Sequence, residues 1–193
     1  SSPSGAGKTT LCKLLIKKAK LLLNQSDNKE KETLLLYAES RYYISIGNLN
    51  KSEDLAKKCL AKTNDSFLEN ACSSLLSNIY IYNKDYDKAK KFIKFRTYEG
   101  QISLAYIAFM EKKLQKAERI LKRIYKRQFK IENFKRPDPY LSSMIGSALW
   151  FQGKNKEAKV FHEESLETHK SIYGEKDPLL IQPYINLAMV YFN

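Results

Sequence analysis

From residue 33 onward the apolar positions fall at three- and four-residue steps rather than at every second residue, which predicts helices and no strands. The pattern places helices at about 8–24, 31–46, 50–62, 66–83, 86–97, 101–111, 114–131, 139–152, 155–173 and 179–193. Gly and Pro, the strongest interrupters of helices, number only 7 and 5, and most lie outside these segments. The polar stretch Asn24 to Lys29 and the segment Asn133 to Pro139 read as linkers. In the second, Pro137 and Pro139 stop helix propagation and leave Asp138 extended. The expected fold class is all-α.

One unit recurs: an apolar and aromatic helix, a short polar turn, then an amphipathic basic helix centred on a small residue. It runs from Leu34 through Gly47 to Ser52, from Cys72 through Lys84 to Ala89, from Ile102 through Lys113 to Ala117, and from Leu141 through Gly153 to Ala158. A fifth begins near Ile181. The small residues Ser52, Ala89, Ala117 and Ala158 stand 37, 28 and 41 residues apart. A small side chain there lets the second helix of a hairpin lie close against the first, while Tyr43, Tyr80 and Leu149 fill the space between hairpins. A single hairpin buries too little to be stable alone, so neighbours must stack.

Asp85-Tyr86-Asp87-Lys88-Ala89 and Gly153-Lys154-Asn155-Lys156-Glu157-Ala158 resemble the turn of tetratricopeptide (TPR) repeats. Glu164-Ser165-Leu166, Tyr173-Gly174-Glu175-Lys176-Asp177-Pro178, Ile185-Asn186-Leu187-Ala188 and Tyr191 resemble the longer repeats of kinesin light chains. The likeness covers roughly residues 33 to 193 and implies a right-handed superhelix of stacked antiparallel helix pairs. On this reading residues 1–30 form a leader, and 31–193 a repeat domain of about four repeats plus part of a fifth. The spacing of 28 is shorter than the family period of about 34, which predicts a shortened second helix near Phe92 to Arg96 and a turn at Gly100.

In TPR arrays the first helix of each pair lines the concave surface. The resemblance therefore implies a peptide groove formed by Tyr37, Arg41, Asn78, Tyr82, Tyr106, Phe109, Ser143, Ser147, Trp150, Phe151, Asn186 and Met189. The set is aromatic and amide-rich and does not reproduce a carboxylate clamp. Asn78 and Asn186 offer both donor and acceptor to a peptide backbone, and Tyr82, Trp150 and Phe151 offer apolar anchors. Packing between helices is the competing role for each aromatic ring.

Charge adds a second surface. There are 34 Lys and Arg against 21 Asp and Glu, a net charge of +13. Eleven basic residues lie between Lys112 and Arg136, opposed only by Glu118 and Glu132. Lys116, Arg119, Arg123, Lys126, Arg127 and Lys130 recur on one helix face, with Leu114, Ala117, Ile120, Leu121 and Ile124 on the other. That face is expected on the convex side, either as a solvated surface or as a site for an acidic protein. Phosphorylated tails, nucleic acid and anionic lipid are further partners such a field attracts, although no nucleic-acid motif is present.

At the amino terminus, Ser2-Pro3-Ser4-Gly5-Ala6-Gly7-Lys8-Thr9 resembles a Walker A phosphate loop. The likeness implies phosphate bound by Gly7 and Lys8 and magnesium by Thr9, hence ATP and Mg in the regulatory region of a P-loop NTPase. Ser2 stands at the first glycine position, and no strands with a metal-orienting Asp follow. The other reading is a Ser/Gly leader capping a helix. Outside that alternative no cofactor is expected.

His162 and His169 stand seven apart on one predicted helix, too far for a shared metal without a third ligand, and Glu163, Glu164 and Glu167 beside them read as solvent-facing. No metal site and no catalytic constellation is expected. Cys12, Cys59 and Cys72 show no metal spacing and read as buried thiols in a reducing compartment. With no signal peptide and no apolar run long enough for a bilayer, the expected location is the cytoplasm. The start at Ser1 without Met, and the stop at Asn193 after the apolar run Ile185 to Phe192, read as a fragment of a longer protein. The expected function is non-enzymatic: a scaffold holding a peptide or partner protein in its groove, within a larger assembly.

Overall fold

The computed structural model describes residues 13–14, 16–18, 21, 29–130 and 137–192. Among these residues the regular structure is helical, with no strand. Contacts divide the chain into two units, Ser1–Lys94 and Phe95–Asn193. The first holds α1 (Lys29–Ser45), α2 (Leu49–Lys62), α3 (Ser66–Tyr82) and α4 (Tyr86–Phe92). The second holds α5 (Tyr98–Met110), α6 (Leu114–Gln128), α7 (Pro139–Trp150), α8 (Asn155–Tyr173), a 3-10 turn (Pro178–Leu180) and α9 (Ile181–Tyr191). Within each unit, helices adjacent in sequence pack on one another.

Four hairpin turns share one geometry. Gly47, Lys84, Lys112 and Gly153 each take positive φ, at +77°, +60°, +59° and +74°. The following residue's N–H closes a long bond back into the preceding helix: Asn48 to Tyr43 O, Asp85 to Tyr80 O, Lys113 to Ala108 O and Lys154 to Leu149 O, all at 2.8 to 3.0 Å. This Schellman closure satisfies the last carbonyls of the helix and reverses the chain. Asn48 and Asp85 also cap the next helix, their side chains accepting from Lys51 and Lys88 N–H. Five residues beyond each positive-φ position lie Ser52, Ala89, Ala117 and Ala158, all fully buried, as close approach of the hairpin helices requires. In the first hairpin the Ser40 and Ser52 hydroxyls lie 2.8 Å apart and each reaches the other's carbonyl.

The core of the second unit is built from Ala105, Leu121, Ile124, Leu141, Ile145, Ala148, Leu149, Ala158 and Val190. Burying such a leucine or isoleucine side chain stabilises the fold by roughly 1.5–3 kcal/mol. Asp138 is extended, as the flanking prolines predict, and its carboxylate caps α7.

Three expectations are corrected here. The short helix α4 ends at Phe92 rather than 97, and the turn falls at 93–97, because Thr97 caps a new helix by accepting from Gly100 N–H. Gly100 is therefore inside α5, buried in its first turn. Cys59 and Cys72 are not free thiols: they form a disulfide joining α2 to α3, with Cα atoms 6.4 Å apart. The turn at 63–65 brings both to the buried seam of these helices within bridging distance. Cys12 lies outside the described residues. Glu164 does not face solvent: its carboxylate accepts hydrogen bonds from Tyr125 on α6 and Ser142 on α7, tying three helices together. Burial, and then that hydrogen bond, push the Tyr125 phenol above its ordinary range.

His162 and His169 are both buried. The His162 imidazole lies against Gly146 of α7, where a Cβ would stand 2.7 to 2.9 Å from the ring. Its Nδ1 has no hydrogen-bond partner, and burial lowers its pKa to about 4. His169 Nδ1 sits 2.8 Å from the Ser165 carbonyl. Both rings are packing elements.

Candidate functional site

The first helices of the pairs carry the residues expected to form a peptide groove. In the first unit Tyr37 is half-buried, with the Arg41 guanidinium 5.9 Å from its ring centre. Asn78 and Tyr82, one turn apart on α3, are exposed.

In the second unit α5, α7 and α9 bring most of the remaining residues into a continuous strip. Phe109 and Trp150 pack on the core, and Phe151 completes the cluster with edge-to-face contacts at 5.2 Å to Phe109 and 4.7 Å to Trp150. Tyr106 is exposed one turn before Phe109. The strip continues along α7 through Ser147 and Ser143, and crosses to α9 where Asn186 Nδ2 donates to Ser143 Oγ at 2.9 Å. Gln182 donates to Asn186 Oδ1 at 2.8 Å, and Met189 is exposed on the next turn. Phe109 and Trp150 are therefore half structural, while Tyr106, Phe151 and Met189 present open surface.

On the basic helix α6, Lys116, Arg119, Arg123, Lys126 and Arg127 are exposed, as is Lys130 just beyond its end, and Ala117, Leu121 and Ile124 are buried. Sequence reading missed the ion-pair node at the amino-terminal end of this helix. Lys122 Nζ lies 2.8 Å from Glu118 and 3.2 Å from Glu157, and Lys154 lies 2.9 Å from Glu118. Gln152 also donates to Glu118. Burial alone would raise the Glu118 pKa, but the bonds from Lys122, Lys154 and Gln152 outweigh it and hold the carboxyl at about 2. The i to i+4 step from Glu118 to Lys122 was legible, whereas Lys154 arrives from another hairpin, 36 residues away.

Gly7, Lys8 and Thr9 lie outside the described residues, as do Lys135 and Arg136. Among the described residues no group of three His, Cys, Asp or Glu side chains is placed to hold a metal ion. Nor, among them, is any helix long and apolar enough to cross a membrane.

Residues 143–179 match the tetratricopeptide repeat family model. No curated protein matches the sequence. Solved structures do match the fold. BtubC (BKLC) from P. vanneervenii superposes with a TM-score of 0.73 at 18% identity, over 99% of this chain and 84% of that one. A Podosopora anserina protein with kinesin light chain nearly identical TPR-like repeats gives 0.64 at 18% identity, over 81% of this chain and 84% of that one. A tetratricopeptide repeat protein from Parabacteroides merdae gives 0.51 at 11% identity, over 95% and 79%. At such identities the likeness is one of fold, and this chain has the helix-pair fold of TPR and kinesin-light-chain-like repeats, with a tetratricopeptide repeat in its sequence at residues 143–179.

Proposed function

We propose that the chain is a non-catalytic, cofactor-free protein-interaction module that takes an extended peptide of a partner protein on the strip formed by α5, α7 and α9. A scaffold of this kind acts by holding its partner within a larger assembly. The observation that carries the proposal is the exposure of Tyr106, Phe151 and Met189 on helices that also carry the amide of Asn186, hydrogen-bonded from α9 to Ser143 of α7. Aromatic and sulfur-bearing side chains contribute most where they leave water, and an amide within reach fixes an extended backbone. Asn186 keeps one N–H and acceptor capacity beyond its bonds to Ser143 and Gln182.

The test is selection from a random peptide library on the full chain, followed by fluorescence anisotropy with the selected peptides. Tyr106→Ala and Phe151→Ala are exposed substitutions that leave the core intact, and each is expected to weaken the peptides tenfold or more. Asn186→Ala is expected to do the same, with thermal unfolding little changed. Affinity equal to that of the native chain in all three variants would refute this surface as the binding strip.

A further inference from the structure

The outward face of α6 has a character that the strip on α5, α7 and α9 lacks. Gln115, Glu118, Arg119, Lys122, Arg123, Lys126, Arg127, Lys130 and Lys154 line one open hollow of about 720 Å³. Long charged side chains of this kind can lay their methylene stems along a surface and keep their charged heads in water. Glu118 and Lys122 neutralise one another at one end, in a node that also engages Lys154. Beyond them Arg119, Arg123, Lys126, Arg127 and Lys130 have no acidic partner among the described residues, and neither does Lys116 on the same helix. The positive field therefore grows along the helix from Glu118 toward Lys130.

Spacing narrows what this field can read. Arg119, Arg123 and Arg127 are successive i to i+4 neighbours, so their Cα atoms rise about 6 Å per step. Alternate side chains of an extended chain stand about 6.6 Å apart. Three guanidinium groups are thus in step with every second side chain of an extended segment, and guanidinium matches carboxylate in a bidentate fork. The lining of the hollow includes no aromatic ring on which a base could stack, and no apolar side chain that could enter a bilayer.

We propose that this face of α6 is a second docking surface, for an extended peptide segment bearing Asp or Glu at alternate positions, with Arg119, Arg123 and Arg127 each taking one carboxylate. The surface is separate from the strip on α5, α7 and α9 and does not depend on it. Attraction between these charges speeds encounter and weakens with salt.

The experiment uses the full chain and a fluorescein-labelled nonapeptide of alternating Glu and Ser, followed by anisotropy at low and physiological salt. Comparison probes are a peptide of the same composition with its Glu residues contiguous, an oligothymidylate of equal charge, and vesicles of phosphatidylserine and phosphatidylcholine. The triple variant Arg119→Gln/Arg123→Gln/Arg127→Gln is expected to lose the alternating peptide at least tenfold. The control Lys58→Gln/Lys91→Gln/Lys156→Gln, which removes the same charge from exposed positions elsewhere, should lose less than twofold. Circular dichroism melting of both variants verifies that they fold. Phe151→Ala should leave this affinity unchanged, which separates failure here from failure of the peptide strip. The proposal is overturned by equal losses in the two triple variants, by equal affinity for alternating and contiguous peptides, by the absence of peptide binding, or by tighter binding of the oligonucleotide or vesicles.

Discussion

Lowering the pH should weaken the second unit through one residue, His162. The residue is 3% exposed, its Nδ1 makes no hydrogen bond, and burial lowers its pKa from 6.5 to about 4. In the unfolded chain the imidazole takes a proton as pH falls through 6.5, while in the folded chain it resists until about 4. The unfolded state therefore binds more protons between these values, and stability falls with pH across that window. At neutral pH both states are unprotonated and the ring imposes no such penalty. With one unit of pKa difference equivalent to about 1.4 kcal/mol, the linkage relation gives a loss of about 2 kcal/mol at pH 5, tending to about 3 kcal/mol at pH 4 and below. Carboxylates with lowered pKa, Glu118 above all, lose their contribution only as pH drops below their ordinary value near 4.5. The interval from pH 7 to 5 therefore isolates the histidine. Urea unfolding at pH 7, 6 and 5 of the native chain and of His162→Leu measures it: the native chain should lose about 2 kcal/mol more than the variant. Titration of the imidazole by NMR gives the second readout. Parallel losses in the two proteins, or a His162 midpoint at or above 6.5, would refute the reasoning.

Other outcomes follow from the turns and the tethers. Lys112→Gly should stabilise the second unit by about 1 kcal/mol, because positive φ strains any residue with a Cβ, and Gly153→Ala should cost a similar amount; both are read by thermal or urea unfolding. Reducing the Cys59–Cys72 bond, or replacing both residues by Ser, should lower stability by about 3 kcal/mol, the loop-closure value for a separation near 15 residues, with mass spectrometry confirming the thiol state. Glu164→Gln should cost about 1–3 kcal/mol, since the charge-assisted bonds from Tyr125 and Ser142 weaken together, and the Tyr125 phenol should then titrate at lower pH by ultraviolet absorbance.

The helix pairs were legible because their signals are local. Apolar steps of three and four residues, a turn, and a small residue a fixed distance beyond it are all written within some twenty positions, and Ser52, Ala89, Ala117 and Ala158 are buried as that pattern requires. Where Gly is replaced by Lys84 or Lys112 the same turn forms, so the turn is set by the closing bonds and the packing behind it rather than by glycine alone. What was misread depends on partners far along the chain. Cys59 meets Cys72 only once the register of α2 on α3 is known, and Glu164 is claimed by side chains from two other helices. The end of α4 was misplaced because Thr97 competes for the backbone: its hydroxyl starts a new helix before the expected turn at Gly100. Among the residues expected to line a groove, sequence register does not separate Phe109 and Trp150, which lean on the core, from Tyr106 and Phe151, which face outward; only packing does.

The sulfur bridge has a mechanical meaning. Cys59 belongs to the second helix of one hairpin and Cys72 to the first helix of the next, so the covalent path runs directly between hairpins and bypasses the dozen residues looped between them. Tension pulled through the backbone would cross at the sulfurs and leave that loop slack. This junction can then bear load as a single piece, until a reductant cuts the shortcut and hands the strain to the turn.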